Sequence, residues 1–140
     1  MRRWVGLAWM ALAACGGPTV HPLDIGGHTL HVELADEPIE RRRGLAGRSA
    51  LAPDHGMLFV FHAEEPQALW MKETGMPLSA AFVDARGRIT NVAALAPHSR
   101  EQVRSSGRVL YAIEAPAGWF QARAIGSGTV VTGLPPAAPR

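Results

Sequence analysis

Short apolar stretches separated by turn residues run through the middle of the chain. Leu30, Val32 and Leu34 alternate with polar residues, which predicts a half-buried strand. The run 57–61 is apolar at every position and predicts a central strand covered on both faces. Further strands are predicted at 23–25, 68–71, 78–83, 89–95, 109–114 and 129–132. Seven or so short strands at this spacing predict a mainly β domain, either a β-sandwich or a partly closed barrel.

Turn and cap residues fall between these predicted strands. Gly26-Gly27 and the run 84–87 predict two hairpins. A helical turn is predicted before the strand at 57–61, with Asp36 as its cap, Pro38 in its first turn and Gly44 at its end. One more helical turn is expected at 119–124. Helix therefore makes a minor contribution to the predicted fold.

The N-terminus has the organisation of an export signal. Arg2 and Arg3 precede the apolar run 4–12, which at about 1.5 Å per residue is too short to span a ~30 Å hydrocarbon core. The tetrapeptide 12–15, Leu-Ala-Ala-Cys, resembles the lipobox of bacterial lipoproteins, in which the cysteine receives lipid before cleavage. We therefore predict an exported protein anchored through lipid on Cys15. An ordinary secretory signal with a chance cysteine is the alternative, and Gly16 favours the outer membrane facing the periplasm.

These features divide the chain into a signal peptide, a tether, one domain and a tail. The predicted bounds are 1–14 for the signal, 15–22 for a flexible tether, 23–133 for a single β domain and 134–140 for a loose, Pro-rich tail.

Removal of the signal peptide changes the balance of basic and acidic residues in the chain. The chain has 14 Lys+Arg and 12 Asp+Glu, and loss of Arg2 and Arg3 leaves 12 against 12. Nucleic acid is therefore not expected as a partner. Cys15 is the single cysteine, which excludes an intrachain disulfide and a cysteine-based metal site.

A series of linked motifs extends from the first helical turn to the last strands. They are Arg43-Gly44-Leu45, Arg48, the run 56–61, Trp70-Met71-Lys72-x-Thr74, Pro77-Leu78, Tyr111-x-x-Glu114 and Ala117-Gly118. In order and spacing these motifs resemble the domain of unknown function 192 family, over roughly Val32 to Val131. The resemblance implies a compact β-sandwich, often secreted or lipid-anchored in bacteria, without an established activity. Three positions depart from the family pattern: Ala46 for Met, Glu73 for Asn and Ser79 for Asp.

Trp70, Lys72 and Thr74 share one parity, so on an extended segment they would point to the same side. A tryptophan beside a cation is a plausible platform for a sugar, an aromatic group or an anion. The favoured alternative is that Trp70 is a core residue and the Lys72 stem extends past it to water.

The arginines near the first helical turn form a second candidate group. Arg41 and Arg42 are expected on a solvated face, where three carboxylates of the same turn can neutralise them. Those carboxylates belong to Asp36, Glu37 and Glu40. Arg43 and Arg48 flank Gly44 and are the stronger functional or structural candidates. Glu114 ends an apolar strand and is expected to pair with one of them.

Metal-binding and catalytic signals are weak. Met57, Met71 and Met76, with His62, suggest Cu(I) handling, but core packing is favoured for the methionines. The sequence contains no HExxH, GxSxG or P-loop motif, so no catalytic residue, cofactor or metal is predicted. We therefore expect a non-catalytic envelope binding or accessory module whose ligand is a small molecule, a glycan or a protein. An enzyme acting on an envelope substrate is the alternative, and a copper-handling protein is third.

Overall fold

The computed structural model describes residues 18–140, which form seven strands, one short helix and one 3₁₀ turn. In chain order the elements are β1 Val20–Ile25, β2 His28–Ala35, α1 Pro38–Arg43, β3 His55–Leu69, β4 Leu78–Val83, β5 Ile89–Leu95, β6 Val103–Pro116, the 3₁₀ turn Gln121–Arg123 and β7 Val131–Thr132.

All seven strands belong to one sheet with the order β5-β4-β6-β3-β2-β1-β7. Neighbouring strands are antiparallel except β2 and β3, which are parallel and are joined through α1. The long strands β3 and β6 lose register between Val60 and Glu65 and again between Pro66 and Ala68. Such irregularities increase the bend and twist of a strand. The sheet curls into a half-barrel, which confirms the prediction of a mainly β, partly closed architecture.

The sheet has a hydrophobic core on each face. Along β3, Leu58 and Val60 enter one core, whereas Met57 and Phe59 enter the other. The run 57–61 therefore has the predicted two-sided burial, because successive side chains on a strand point to opposite faces. The first core also contains Leu23, Leu30, Tyr111, Trp119 and Phe120. The second core also contains Leu45, Leu69, Met71, Met76, Phe82 and Val109.

The connection from β2 to β3 begins with α1. Glu37, not the predicted Asp36, is the residue before the helix, and the Glu40 carboxylate accepts hydrogen bonds from the backbone N–H groups of both. Gly44 ends the helix with φ +49°, as predicted. A Cβ at Gly44 would lie 3.3 Å from the Phe59 ring, so glycine also lets the helix end rest on the second core.

Several predicted boundaries are wrong. The predicted strand 68–71 is the end of β3 followed by a turn, and β6 begins at Val103, six residues before its predicted start. The last three residues of the predicted tether are not loose, because β1 begins at Val20 and pairs with β2. The residues that extend β1 and β6 lack a regular apolar alternation, so the sequence pattern does not mark them as strand. Backbone pairing with β2 and β3 makes them strand in the structure.

The C-terminal tail is bound to the half-barrel, although its composition predicts a loose segment. The Tyr111 hydroxyl donates a hydrogen bond to the Pro135 carbonyl. Ala138 is buried, and its N–H donates to the Phe61 carbonyl at 3.0 Å. Proline fixes φ before docking, so a Pro-rich segment loses little backbone freedom when a few such contacts hold it.

The predicted signal peptide and Cys15 lie outside the described residues. Within residues 18–140, we find no helix with the length and apolar character needed to cross a membrane.

Candidate functional site

A cleft of about 320 Å³ opens on the side of the sheet that carries the second core. One wall is the end of α1 with the residues that follow it, and the other is the segment 68–74. Phe59 of β3 and Glu114 of β6 also line it. The cleft brings together five of the six predicted ligand-binding residues: Arg43, Trp70, Lys72, Thr74 and Glu114.

Backbone hydrogen bonds hold the two walls in place. The Gly47 N–H donates to the Glu73 carbonyl at 3.1 Å and so joins the loop after α1 to the loop after β3. The Met71 N–H donates to the Ser99 carbonyl at 3.1 Å, and the His98 N–H donates to the Thr74 carbonyl at 2.9 Å. The cleft therefore has walls fixed by main-chain bonds, which suits a preformed ligand site.

Glu114 is the buried ionisable group of the cleft. Its neighbours across the ladder are Met57 on β3 and Ala80 on β4, both of the second core. The residue is 4% exposed, and its carboxyl group has no hydrogen bond or ion pair within residues 18–140. No fully buried side-chain oxygen in these residues lacks a partner, so the Glu114 carboxyl oxygens reach the open space of the cleft. Burial raises the pKa of Glu114 to about 7, because the apolar surroundings disfavour the charged form. This carboxyl can therefore hold a proton near neutral pH.

Gly56 makes the position of Glu114 possible. A Cβ at Gly56 would lie 2.1 Å from the Glu114 carbonyl oxygen, closer than any side chain allows. The residue has ordinary backbone angles, so its role is space rather than conformational freedom. Glycine at the start of the 56–61 motif thus lets β3 and β6 approach each other beside the cleft.

Trp70 is exposed over 55% of its surface, so the prediction that it belongs to the core is wrong. The Lys72 ammonium nitrogen lies 5.6 Å from the centre of the Trp70 ring, within cation–π range. Lys72 is exposed, whereas Thr74 is buried. All three residues line the same cleft, as predicted, but the chain leaves the sheet after Leu69, so strand parity is not the reason.

The three consecutive arginines of α1 line the cleft but differ in their contacts. Arg41, predicted on a solvated face, is half-buried and donates to the carbonyls of Asp36 and Val60, the latter at 3.0 Å. Arg42 and Arg43 are exposed. In the described part of the chain none of the three arginines forms an ion pair, so the predicted neutralisation of Arg41 and Arg42 by neighbouring carboxylates is absent. The Glu40 carboxylate accepts backbone hydrogen bonds at the helix start instead.

Arg48 lies outside this cleft. Both of its terminal nitrogens bind the Glu33 carboxylate, one of them at 2.8 Å, and this hydrogen bonding raises the Arg48 pKa further. The pair lines a neighbouring groove of about 450 Å³, to which Arg43 also contributes. The expected ion pair between Glu114 and either Arg43 or Arg48 does not occur among residues 18–140, so the pairing prediction is wrong.

The three departures from the family pattern have different positions. Ala46 and Glu73 line the cleft. Ser79 is buried away from it, where its hydroxyl accepts from the Gly118 N–H at 2.9 Å and donates to the Gln121 side chain at 3.4 Å. Ser79 therefore fixes the turn after β6, whereas Ala46 and Glu73 modify the lining of the cleft.

The methionines suggested as Cu(I) ligands are core residues. Met57, Met71 and Met76 are at most 7% exposed, and all three belong to the second core. Across residues 18–140, no three His, Cys, Asp or Glu side chains form a group that could hold a metal ion.

The cleft as a whole suits a small ligand with an anionic group and a hydrogen-bonding group. Arg42, Arg43 and Lys72 supply positive charge, Trp70 a flat apolar surface, and Glu114 a buried hydrogen-bonding group. Sequence reasoning did not nominate Leu45 and Phe59, which form the apolar side of the lining. Met57 and Phe59 are two positions apart on β3, so strand periodicity places them on the same face of the sheet. Nothing in the local sequence indicates that α1 packs against that face.

Comparison with known proteins places the whole domain in one family. The sequence profile of DUF192, described as "Uncharacterized ACR", matches residues 21–133. No curated protein sequence matches the chain significantly.

Two crystal structures have the same fold. One is a protein from Sinorhizobium meliloti 1021, provisionally described as a transcription regulator, with 34% identity and a TM-score of 0.78. The match covers 83% of the present chain and 95% of that protein. The other is a protein of unknown function from Novosphingobium aromaticivorans DSM 12444, with 28% identity and a TM-score of 0.78. That match covers 86% of the present chain and 90% of that protein. The chain belongs to the DUF192 family.

Proposed function

We propose that the protein is an exported, lipid-anchored envelope module that binds a small ligand in the cleft between α1 and the segment 68–74. The observation that carries the binding role is the combination of an exposed Trp70 with a buried, unpartnered Glu114 in one cleft. The Glu114 carboxyl group has no protein partner in residues 18–140 and reaches the cleft, where Trp70 presents an apolar ring. A bound ligand can pack on the Trp70 ring and hydrogen-bond the Glu114 carboxyl group.

The envelope location rests on the signal sequence. A basic start, a short apolar run and the lipobox-like segment ending at Cys15 support export and lipid attachment. The outer membrane, facing the periplasm, is the proposed site because Gly16 follows the cysteine. A role in transcription regulation, the provisional description of the S. meliloti protein, is not favoured here. After loss of Arg2 and Arg3 the chain carries equal numbers of acidic and basic residues.

An enzyme acting on an envelope substrate is the second candidate, and one observation favours it. Burial raises the pKa of Glu114 to about 7, which suits a group that transfers a proton at neutral pH. A binding role is preferred because Glu114 has no hydrogen-bonded nucleophile or second acid–base group beside it in residues 18–140. Turnover of a bound envelope saccharide, lost in Glu114→Gln, would reverse this preference.

Binding is tested with a thermal-shift screen of the full chain, purified in mild detergent, against sugars, nucleotides and small acids. A ligand at 100 times its Kd stabilises the native state by about 2.7 kcal/mol, which is readily measured. We expect any stabilising compound to lose its effect in Trp70→Ala. A compound that stabilises both proteins equally binds elsewhere, and that result would contradict the proposed site.

The anchor is tested with Cys15→Ser. Acyl chains hold a protein on a membrane through about 0.8 kcal/mol per buried methylene, and serine cannot receive them through a thioether bond. We expect the variant to lose metabolic palmitate label and to leave the membrane fraction. An Ala13→Ser variant, which retains the thiol, is the matched control. Equal labelling of the wild type and Cys15→Ser would refute lipid attachment at this position.

A further inference from the structure

The identity of the ligand can be narrowed by taking the lining groups in turn, on the basis that the cleft is the binding site proposed above. Its volume of about 320 Å³ lies at the lower end of small-molecule sites, which range from about 300 to 1,000 Å³. A ligand with a single ring fits this size. A nucleotide or a peptide would extend well beyond the walls.

The charge of the lining favours an anionic group at the rim. Arg42, Arg43 and Lys72 are exposed and have no ion pair in the part of the chain that the structure describes. Glu73 is the one exposed acidic residue of the lining, so positive charge is in excess there. A guanidinium group matches the planar carboxylate with two parallel hydrogen bonds. A carboxylate is therefore the preferred anion.

The interior of the cleft favours a hydroxyl group. A protonated Glu114 has one O–H donor and one carbonyl acceptor, and a hydroxyl group likewise both donates and accepts. A second anionic group at this position would gain a donor only from the protonated form and would be repelled by the ionised form. Since Glu114 has no partner in residues 18–140, a ligand hydroxyl would supply its missing hydrogen bonds.

Trp70 supplies the remaining surface. Its ring is more than half exposed and stands beside the Lys72 ammonium group. A saturated sugar ring presents one face of C–H groups, which packs on an aromatic ring, and hydroxyl groups around its edge. We propose that the cleft binds a single acidic sugar of the uronic-acid type. Arg43 and Lys72 bind the carboxylate, Trp70 packs on the ring and Glu114 hydrogen-bonds a hydroxyl group.

Calorimetric titration of the full chain in mild detergent tests this proposal with three matched probes. Glucuronate has the carboxylate and the hydroxyl groups, glucose lacks the carboxylate, and cyclohexanecarboxylate lacks the hydroxyl groups. We expect glucuronate to bind at least about tenfold more tightly than either of the others, since each loses one class of charged or polar contact. Equal binding of glucose, or of cyclohexanecarboxylate, would overturn the proposal.

Substitutions locate the two contacts. We expect Lys72→Gln to weaken glucuronate binding about tenfold, whereas Arg86→Gln, which removes an exposed charge in the β4–β5 turn, leaves it unchanged. In Glu114→Leu the leucine side chain fills the same space beside the second core but cannot hydrogen-bond. We expect this variant to bind glucuronate about tenfold more weakly and cyclohexanecarboxylate as well as the wild type does. If Glu114→Leu does not fold, the probe series and Lys72→Gln still decide the proposal.

The remaining outcomes separate this inference from the proposed function. Binding of adenosine monophosphate but not glucuronate, lost in Trp70→Ala, would overturn the acidic sugar and leave the cleft as a binding site. Absence of glucuronate binding at any concentration tested would also overturn the acidic sugar. In that case the broader thermal-shift screen decides independently whether the cleft binds another compound.

Discussion

Within residues 18–140, two places combine a tryptophan, a cation and a carboxyl group, and they are organised in opposite ways. In the first, Trp119 is 5% exposed and its ring N–H donates to the Asp54 carboxylate at 2.8 Å. The Arg123 guanidinium lies 4.3 Å from the centre of the Trp119 ring and binds the same carboxylate at 3.0 Å. This group of three, the closed cluster, joins the turn after β6 to the residue before β3.

In the second, which we call the open cluster, Trp70, Lys72 and Glu114 share a cleft without satisfying one another. Trp70 is 55% exposed, and the Lys72 ammonium group is 5.6 Å from its ring. Glu114 is as buried as Trp119 yet has no hydrogen bond in residues 18–140. A tryptophan, a cation and a carboxyl group therefore occur once with the carboxyl group bound by the other two and once with the carboxyl group unbound.

The contrast separates a structural role from a binding role. Buried polar groups in native proteins almost always have hydrogen-bond partners, and the closed cluster follows this rule. In the open cluster the Glu114 carboxyl group has no partner within residues 18–140, and its oxygens reach the open space of the cleft instead. Residue type alone does not distinguish the two clusters, because each has a tryptophan beside a cation. The distinguishing property is whether the protein itself completes the hydrogen bonds.

The largest expected difference between the clusters is in the stability effect of removing each tryptophan. Trp119→Ala leaves a cavity in the first core and removes the hydrogen bond to Asp54, so we expect a loss of about 3–5 kcal/mol in the free energy of unfolding. Trp70→Ala removes a largely solvated side chain, and we expect a loss of less than about 1 kcal/mol. Denaturant titration of both variants measures the two values. Similar losses would show that Trp70 is packed as tightly as Trp119, which would contradict its assignment to a binding surface.

The next effect is the pH dependence that Glu114 imposes. Burial raises its pKa to about 7 from an ordinary value of 4.5. Between these values the native protein binds the proton more tightly than the unfolded chain, so stability falls as the pH rises through about 7. The raised pKa lowers the free energy of unfolding by about 3 kcal/mol between pH 4.5 and pH 8, since one pKa unit is about 1.4 kcal/mol.

Glu114→Gln isolates this contribution from the other titrating groups. The amide keeps the size of the side chain and has no charge to desolvate. We expect the variant to match the wild type near pH 4.5 and to exceed its free energy of unfolding by about 3 kcal/mol at pH 8. Asp54→Asn, in the closed cluster, is the control that should not reproduce this rise. A constant difference between wild type and Glu114→Gln across this range would show that the carboxyl group is well solvated.

Sequence patterns predict the fold better than they predict the site. The bounds of β4 and β5 match the predicted 78–83 and 89–95 residue for residue, because apolar runs and turn residues are local signals. The long strands β3 and β6 extend well past their predicted apolar segments, to Leu69 and back to Val103. Their outer halves are partly exposed and carry irregular pairing, so no hydrophobic period marks them.

The sequence predicts most residues of the site but not how they are arranged in space. Five of the six nominated side chains share the cleft, and Arg48 is removed from it by its ion pair with Glu33 on β2. That partner is distant in the sequence, so spacing gives no indication of it. Large aromatic residues in small domains are usually buried, which predicts a core position for Trp70. Its exposure follows from the turn after Leu69, which tertiary hydrogen bonds to the segment around His98 and Ser99 stabilise.

The smallest expected effects on stability come from removing the cation of each cluster, Arg123 or Lys72. In the closed cluster Arg123 binds Asp54, donates to the Trp119 carbonyl at 3.0 Å and stacks on the ring, so Arg123→Ala should lower the free energy of unfolding by about 1–2 kcal/mol. Lys72 is exposed and has one distant ring contact, so Lys72→Ala should change the free energy of unfolding by less than about 0.5 kcal/mol. The same Lys72→Ala protein should nevertheless lose affinity for an anionic ligand of the cleft, whereas Arg123→Ala, at a temperature where it is folded, should keep it. Paired denaturation and titration of the two variants give all four values. A large stability loss in Lys72→Ala with unchanged binding would make Lys72 a structural residue and would remove the contrast between the clusters.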